Sequence, residues 1–255
     1  MLAIERRNEI LERLREEKRV VVSELSRLYQ VTEETIRRDL EKMEKDGLAV
    51  KSYGGAVLKE HKPVDFPFDV RKNQCVEEKK RIAGLIADMV QDGESIMLDV
   101  SSTAVYVARE LKKKERLTVI TNSIEIIAEL YDMPAWTVIS TGGTVREKSF
   151  ALGGPHTDEM IASYHVDRAV VSCKGLDLEN GITDLVEQDA NSKRMMLRAA
   201  RERILAADYT KFDATAFTKV TDWPSITKIV TDRKPAGKWM EEFERQRIDC
   251  IYPGI

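Results

Sequence analysis

From Ala3 onward the apolar residues Ile4, Ile10, Leu11 and Leu14 recur at helical spacing among charged neighbours, and the pattern fades at Lys18 and Arg19. That predicts a first helix. Ser23 stands where it would cap a second, shorter helix carrying Leu25 and Leu28 and ending near Tyr29 and Gln30. Thr32 caps a third, in which Ile36, Leu40 and Met43 make an apolar stripe while Glu33, Glu34, Arg37, Arg38 and Glu41 face elsewhere. Gly47 ends it. Two β-compatible runs, Leu48 to Tyr53 and Ala56 to Leu58, then flank Gly54-Gly55, which is a hairpin signal. Three helices followed by a hairpin describe a winged helix over residues 1–58.

Residues 59–69, with Pro63, Pro67 and mixed charge, read as a linker. Beyond Lys79 helical and strand-like segments alternate, the pattern of a mainly parallel α/β sheet. The strand-like runs are Ser95 to Asp99, Leu117 to Thr121, Thr137 to Ser140, Ala169 to Cys173, Ile204 to Ala207 and Ile226 to Thr231. No internal repeat divides this region, so residues 70–255 form one second domain. The fold class is therefore α/β, with an N-terminal winged helix-turn-helix and a C-terminal α/β domain.

Composition narrows the function. A hydrophobic share of 42% with 33% charged residues is that of a globular protein, and no apolar run approaches the length of a membrane span. The first ten residues turn charged at once and lack the apolar centre of a signal peptide, so a cytoplasmic location is expected. Cys75, Cys173 and Cys250 lie far apart, and His61, His156 and His165 are dispersed, so neither a disulfide framework nor a metal site is expected, and no cofactor. The net charge of −3 does not by itself nominate a nucleic-acid binder, so any DNA contact must come from local placement.

The third helix has that placement. A helix enters the major groove when one face packs on its own domain and the other offers donors to phosphates and base edges. With Ile36, Leu40 and Met43 inward, Thr32, Thr35, Arg37 and Arg38 stand at the outward helix start, where bases would be read. Lys42, Lys45, Lys51 and Tyr53 are candidates for phosphate contacts that fix register. The bland alternative is a solvated face. Asp39 would repel phosphate unless it turns inward to an arginine, so an intramolecular pair is expected; on spacing alone an ordinary i, i+4 helix-surface acid is the equal alternative.

Position by position, these sixty residues resemble the DeoR family of bacterial transcription regulators. Arg6, Ile10 and Leu14 are followed by residues 15–31 and then by Thr32, Glu33, Glu34, Thr35, Ile36, Arg37, Arg38, Asp39 and Leu40, without departure from that family's helix-turn-helix signature. Gly47-Leu48 and Lys51-Ser52-Tyr53-Gly54-Gly55-Ala56 resemble its wing, with Lys51 where many members have Arg.

In the second domain, Asp99-Val100-Ser101-Ser102-Thr103 follows a predicted strand and opens a predicted helix, so hydroxyls and backbone N–H groups gather at a positive helix terminus suited to phosphate. Read alone, such hydroxyls are simple caps. Thr121-Asn122-Ser123, Thr141-Gly142-Gly143 and Lys174-Gly175-Leu176-Asp177 share its placement at strand ends, where open α/β sheets hold their ligands. Lys174 supplies a cation, or else a surface ion pair, and Asp99 and Asp177 accept hydrogen bonds from sugar hydroxyls. Glu187, Asp189 and Lys193 lie in a segment that is either a lid or, by preference, a solvated helix.

This region resembles the DeoR family's sensor domain, with a fold related to ribose-5-phosphate isomerase. The motifs are the Asp99 loop, Ile120-Thr121-Asn122-Ser123, Thr141-Gly142-Gly143, Gly153, Gly175 with Asp177, Gly181-Ile182-Thr183, and Asp208 with Lys211-Phe212. The resemblance implies a phosphorylated sugar effector. Ser101 replaces a glycine common in relatives, which narrows the pocket or adds a hydroxyl. The isomerase's Asp-Gly-Ala-Asp-Glu loop corresponds to Lys174-Gly175-Leu176-Asp177-Leu178, so two of three acids are replaced, and Gly181 to Val186 brings no lysine where the isomerase has its catalytic one. Binding without turnover is expected. The composite expectation is a non-enzymatic repressor of carbohydrate genes, a dimer or tetramer bound to double-stranded operator DNA, with no membrane partner. An isomerase with a DNA tether, or a ligand-free architectural protein, are the rivals.

Overall fold

A computed structural model describes residues 2–45, 48–58, 66–147 and 149–254. Gly47, the expected helix stop, the linker residues 59–65 with His61, and the side chain of Ile4 lie outside the described residues. The chain forms two compact units, Met1–Gln74 and Cys75–Ile255.

The first unit runs α1 (Ala3–Glu17), β1 (Arg19–Val21), α2 (Val22–Tyr29), α3 (Glu33–Lys45), β2 (Ala49–Ser52), β3 (Gly55–Leu58) and α4 (Phe68–Lys72). Ile10, Leu11 and Leu14 of α1 meet Leu25, Ile36, Leu40 and Met43 in one buried core. Lys18 and Gln30 adopt left-handed backbone conformations and end α1 and α2. Ser23 is not the cap of α2: the helix starts directly from β1, with Val21 in the cap position. Leu28 is half-exposed, outside the core. Thr32 does cap α3, its Oγ1 accepting from the Thr35 N–H at 3.2 Å.

The hairpin gains a third strand that the pattern did not show. β3 lies between β1 and β2, pairing antiparallel with both. Because Ser52 pairs with Gly55, the two-residue turn is Tyr53-Gly54, and Gly54 takes the positive φ of +81° that such turns require. Gly55 is needed for another reason: a Cβ there would stand 2.0 Å from the Val20 carbonyl oxygen. Residues 66–69, expected as linker, also differ. Phe68 is buried, and Phe66 and Val70 pack on the winged-helix core, so this compact unit extends to Gln74.

The second unit continues with α5 (Val76–Met89), β4 (Ser95–Leu98), α6 (Ser102–Leu111), β5 (Thr118–Thr121), α7 (Ile124–Leu130), β6 (Thr137–Ser140), β7 (Thr144–Arg146), β8 (Ala151–Gly153), α8 (Pro155–Ala162) and β9 (Val166–Val171). It ends with β10 (Gly175–Asp177), β11 (Gly181–Asp184), α9 (Glu187–Ala199), β12 (Ala200–Ala206), β13 (Thr218–Thr221), β14 (Lys228–Val230), α10 (Gly237–Gln246) and β15 (Asp249–Ile251). Seven strands form a sheet in the order β15-β14-β12-β9-β4-β5-β6, every pair parallel. Their buried runs, such as Ile96-Met97-Leu98 and Val170-Val171, are continuous and not alternating, as strands covered on both faces must be. β10, β11 and β13 form a small antiparallel sheet, and β7 and β8 form a ribbon. Because the large sheet is parallel, the chain segments leaving β4, β5, β6, β9, β12 and β14 gather at one edge.

Candidate DNA interface and effector site

On α3 the inward stripe is completely buried, and Asp39 joins it. Its carboxylate accepts from Arg6 Nε at 2.6 Å and from Arg7 Nη1 at 3.2 Å, so the acid is turned away from the outward face and tied to α1. Arg37 and Arg38 are exposed and pair along the helix with Glu33 (2.6 Å) and Glu34 (3.4 Å). Such surface pairs contribute about 0–1 kcal/mol, so the glutamates are weakly held partners that another anion or acceptor could displace at little cost. Thr32 and Thr35 share a hydroxyl contact of 2.9 Å at the same end. Lys42 is exposed on the helix. Lys51 on β2 reaches Glu41 at 2.9 Å, and Tyr53 stands fully exposed at the tip of the wing.

In the second unit, four strand ends bring most of the expected residues together. Asp99 is buried, its Oδ1 accepting from the Ser101 N–H at 3.0 Å and its Oδ2 from the Ser172 N–H at 3.0 Å, which ties the ends of β4 and β9. Ser101 caps α6, accepting from the Ala104 N–H at 3.0 Å, and Ser102 and Thr103 occupy the first buried turn. Thr121 donates to the Leu98 carbonyl at 2.7 Å and accepts from the Ser123 N–H, so its hydroxyl is used within the scaffold. Asn122 donates from Nδ2 to the Leu152 carbonyl at 3.1 Å, while its buried Oδ1 has no partner among the described residues.

Thr141 donates to the Gly142 carbonyl at 3.3 Å, and Gly142 and Gly143 both have positive φ. At Gly143 a Cβ would lie 2.1 Å from Thr157 Oγ1, so the close turn admits only glycine. Lys174 follows β9 and binds its own N–H to the Thr183 carbonyl at 2.9 Å. Asp177 is elsewhere. It lies about 10 Å of extended chain from Lys174, and its Oδ1 accepts from the Glu179 N–H, the Asn180 N–H and Asn180 Nδ2. The carboxylate closes the β10–β11 turn and does not join the cluster.

The residues that sequence reasoning missed are Asp184 and the role of Lys193. The segment is a helix, as preferred, but Lys193 is not on its solvated face: it is buried, hydrogen-bonded to Asp184 Oδ2 and 3.5 Å from Asp99 Oδ2. Burial would lower the lysine's pKa, yet Asp184 and then Asp99 raise it, so the ammonium stays charged. For Asp184, burial would raise the pKa, but Lys193 and Lys174 outweigh it and hold the carboxylate below its usual range. The signal was available in the register, since Lys193 shares the 3–4 spacing of the buried Ala190, Met196 and Leu197. At the neighbouring strand end, Asp208 is likewise buried and held ionised by Lys211 against the cost of burial. Arg146 of the ribbon donates to Asp189 at 2.7 Å, linking β7 to the first turns of α9.

The cluster thus gathers backbone N–H groups at a helix start, small close turns, a lysine held between two carboxylates and, among the described residues, an amide oxygen without a partner, an arrangement suited to an anion with hydroxyls beside it. Among the described residues no group of His, Cys, Asp and Glu is placed to hold a metal, and no helix is long and apolar enough to cross a membrane.

Residues 6–62 match the DeoR-like helix-turn-helix domain, and residues 74–233 match the DeoR C terminal sensor domain. The chain is 41% identical over 253 residues to YulB of Bacillus subtilis (strain 168), an uncharacterized HTH-type transcriptional regulator, covering 98% of each. It is 31% identical over 232 residues to CsqR of Escherichia coli (strain K12), an HTH-type transcriptional repressor, covering 91% of this chain and 88% of that one. Ribose 5-phosphate isomerase A of Methanocaldococcus jannaschii aligns with a TM-score of 0.39 and 17% identity, over 52% of this chain and 53% of that one, a likeness on which nothing further rests.

Proposed function

Since the chain belongs to the DeoR family of transcription regulators, through both its helix-turn-helix and its sensor domain, we propose that it is a repressor of carbohydrate-metabolism genes released or engaged by a phosphorylated sugar. The observation that carries the effector half is the convergence of Asp99, Asn122, Gly142-Gly143, Lys174 and Lys193 at adjacent strand ends. Lys174, with the N–H groups at the start of α6, would take the phosphate, and the Asn122 Oδ1 would accept from a sugar hydroxyl. Thr35, Arg37 and Arg38 would read bases, while Lys42, Lys51 and Tyr53 would hold the backbone. In the cytoplasm, a homodimer or tetramer would present paired winged helices to repeated half-sites. The effector would shift the population of subunit arrangements, by no more than its differential affinity for them.

Binding without turnover follows from the acids. A general base works best with a pKa near the operating pH, whereas Lys193 holds Asp184 low and Asp99 already accepts two backbone N–H groups. A thermal-shift screen of phosphorylated sugars against their unphosphorylated parents, repeated with Lys174→Ala, tests the reading. A shift with one phosphate ester that is lost in the variant supports it, because a ligand of the folded state alone raises stability. No shift with any ester overturns the effector half and leaves the DNA-binding half standing.

A further inference from the structure

Away from the strand-end cluster, a cleft of about 500 Å³ opens between the last turns of α9, the start of β12 and β13. Its wall carries Arg194, Arg198, Arg203 and Lys219, and a single carboxylate, Asp222, already held by Lys219. Arg194 and Arg198 share one face of α9 at i, i+4, with Leu197 between them forming an apolar floor. Arg194 is a fixed strut, donating from Nε to the Val220 carbonyl at 2.9 Å and from Nη2 to the Lys219 carbonyl at 3.0 Å. Among the described residues the buried Arg203 Nε has no acceptor, and neither Arg198 nor Arg203 pairs with a carboxylate.

We infer that this cleft is a binding site for a small polyanion, one bearing two or more phosphate or carboxylate groups. Three surplus positive charges in one concave wall repel one another, a repulsion that salt screens in part and that an anion seated between them would relieve further. Guanidinium groups are planar forks that take phosphate or carboxylate oxygens in pairs, and two of them here have no carboxylate partner among the described residues. The volume suits a metabolite and not a polymer. The cleft is separate from the effector cluster: Lys193 points to Asp99 and Asp184, whereas Arg203 precedes Asp208, at the sheet's carboxyl edge, by about 16 Å of strand. Both sites are built on α9, so the helix that carries the effector's buried cation also carries the wall of the second site.

The test is calorimetric titration of the full-length protein with inorganic pyrophosphate, and separately with citrate, at constant ionic strength. A saturable event with either probe is expected, kept in Lys174→Ala and weakened at least tenfold in the Arg198→Ala/Arg203→Gln double variant. Tryptophan-detected melting establishes that the double variant is folded; should it not be, exposed Arg198→Ala alone must weaken the event at least threefold. Absence of a saturable event with both probes overturns the inference. So does an event that vanishes in Lys174→Ala and survives the arginine changes, which would assign the anion to the effector cluster.

Discussion

Replacing Lys193 with methionine removes the buried cation that faces both Asp99 and Asp184 and leaves two almost fully buried carboxylates without their nearest counter-charge. Breaking a buried pair by deleting one partner costs about 3–5 kcal/mol. For a unit of this size that lowers the melting temperature by about 6–20 °C, at roughly 2–4 °C per kcal/mol. The assay is selective, because Trp136, Trp223 and Trp239 all lie in the second unit, so their emission follows that unit's unfolding and not the winged helix. The pH dependence has a definite sign. In the parent protein the folded pKa of Asp184 is depressed, so its contribution is complete above the unfolded value near 4 and is lost as pH falls through the lower folded value. That of Lys193 is raised, so its contribution is complete below about 10.4 and is lost as pH rises further. Stability from the pair is therefore flat from about pH 5 to 9. In Lys193→Met, Asp184 keeps Lys174 and the Leu185 N–H but loses its largest favourable partner against the cost of burial, so its folded value rises and the deficit against the parent narrows as pH is lowered toward 4. Adding Asp184→Asn recovers part of the loss. A deficit below about 1 kcal/mol that does not change with pH would refute the reasoning, since it would mean these acids do not depend on Lys193.

Arg37→Ala and Arg38→Ala should each cost about 1–3 kcal/mol in operator affinity and relax preference at one base position, read by competition anisotropy; unchanged binding in both refutes their assignment. Gly55→Ala places a methyl against the Val20 carbonyl, so DNA binding should be lost while the tryptophan melt of the second unit stays within a degree or two; retained binding would show that the wing can shift to accept it. Asp177→Asn should leave the thermal shift from a bound sugar phosphate unchanged, because the carboxylate closes a turn; a lost shift would return Asp177 to the effector site, and isomerase activity that Asp177→Asn abolishes would favour the enzymatic rival.

What the chain discloses depends on how local each cause is. The stripe on α3, the cap at Thr32 and the apolar runs of β4, β5, β6, β9 and β12 are written within a few residues and read correctly. β1 is three residues long, and only its pairing with the later Gly55 and Val57 makes it a strand. The ribbon β7–β8, the small sheet of β10, β11 and β13, and edge strand β15 are short pairings of the same kind, too brief for a period to show. The turn-closing bonds of Asp177 have a local cause that was legible: Asn180-Gly181 just beyond it is a hairpin turn signal, and an Asp before such a turn bonds its backbone. For Lys193 the inward register with Ala190, Met196 and Leu197 was legible, but its partner Asp99, brought alongside only by the fold, was not.

The pair of Arg6 and Asp39 bears on how the reading head would meet DNA. A recognition helix clamped to α1 before contact has little conformational freedom left to lose on docking, so association should proceed as the meeting of two preformed surfaces, without coupled folding. The heat-capacity change on binding should then match the area of the interface alone, whereas Arg6→Ala should make it larger and more negative, as α3 would complete its ordering on the duplex.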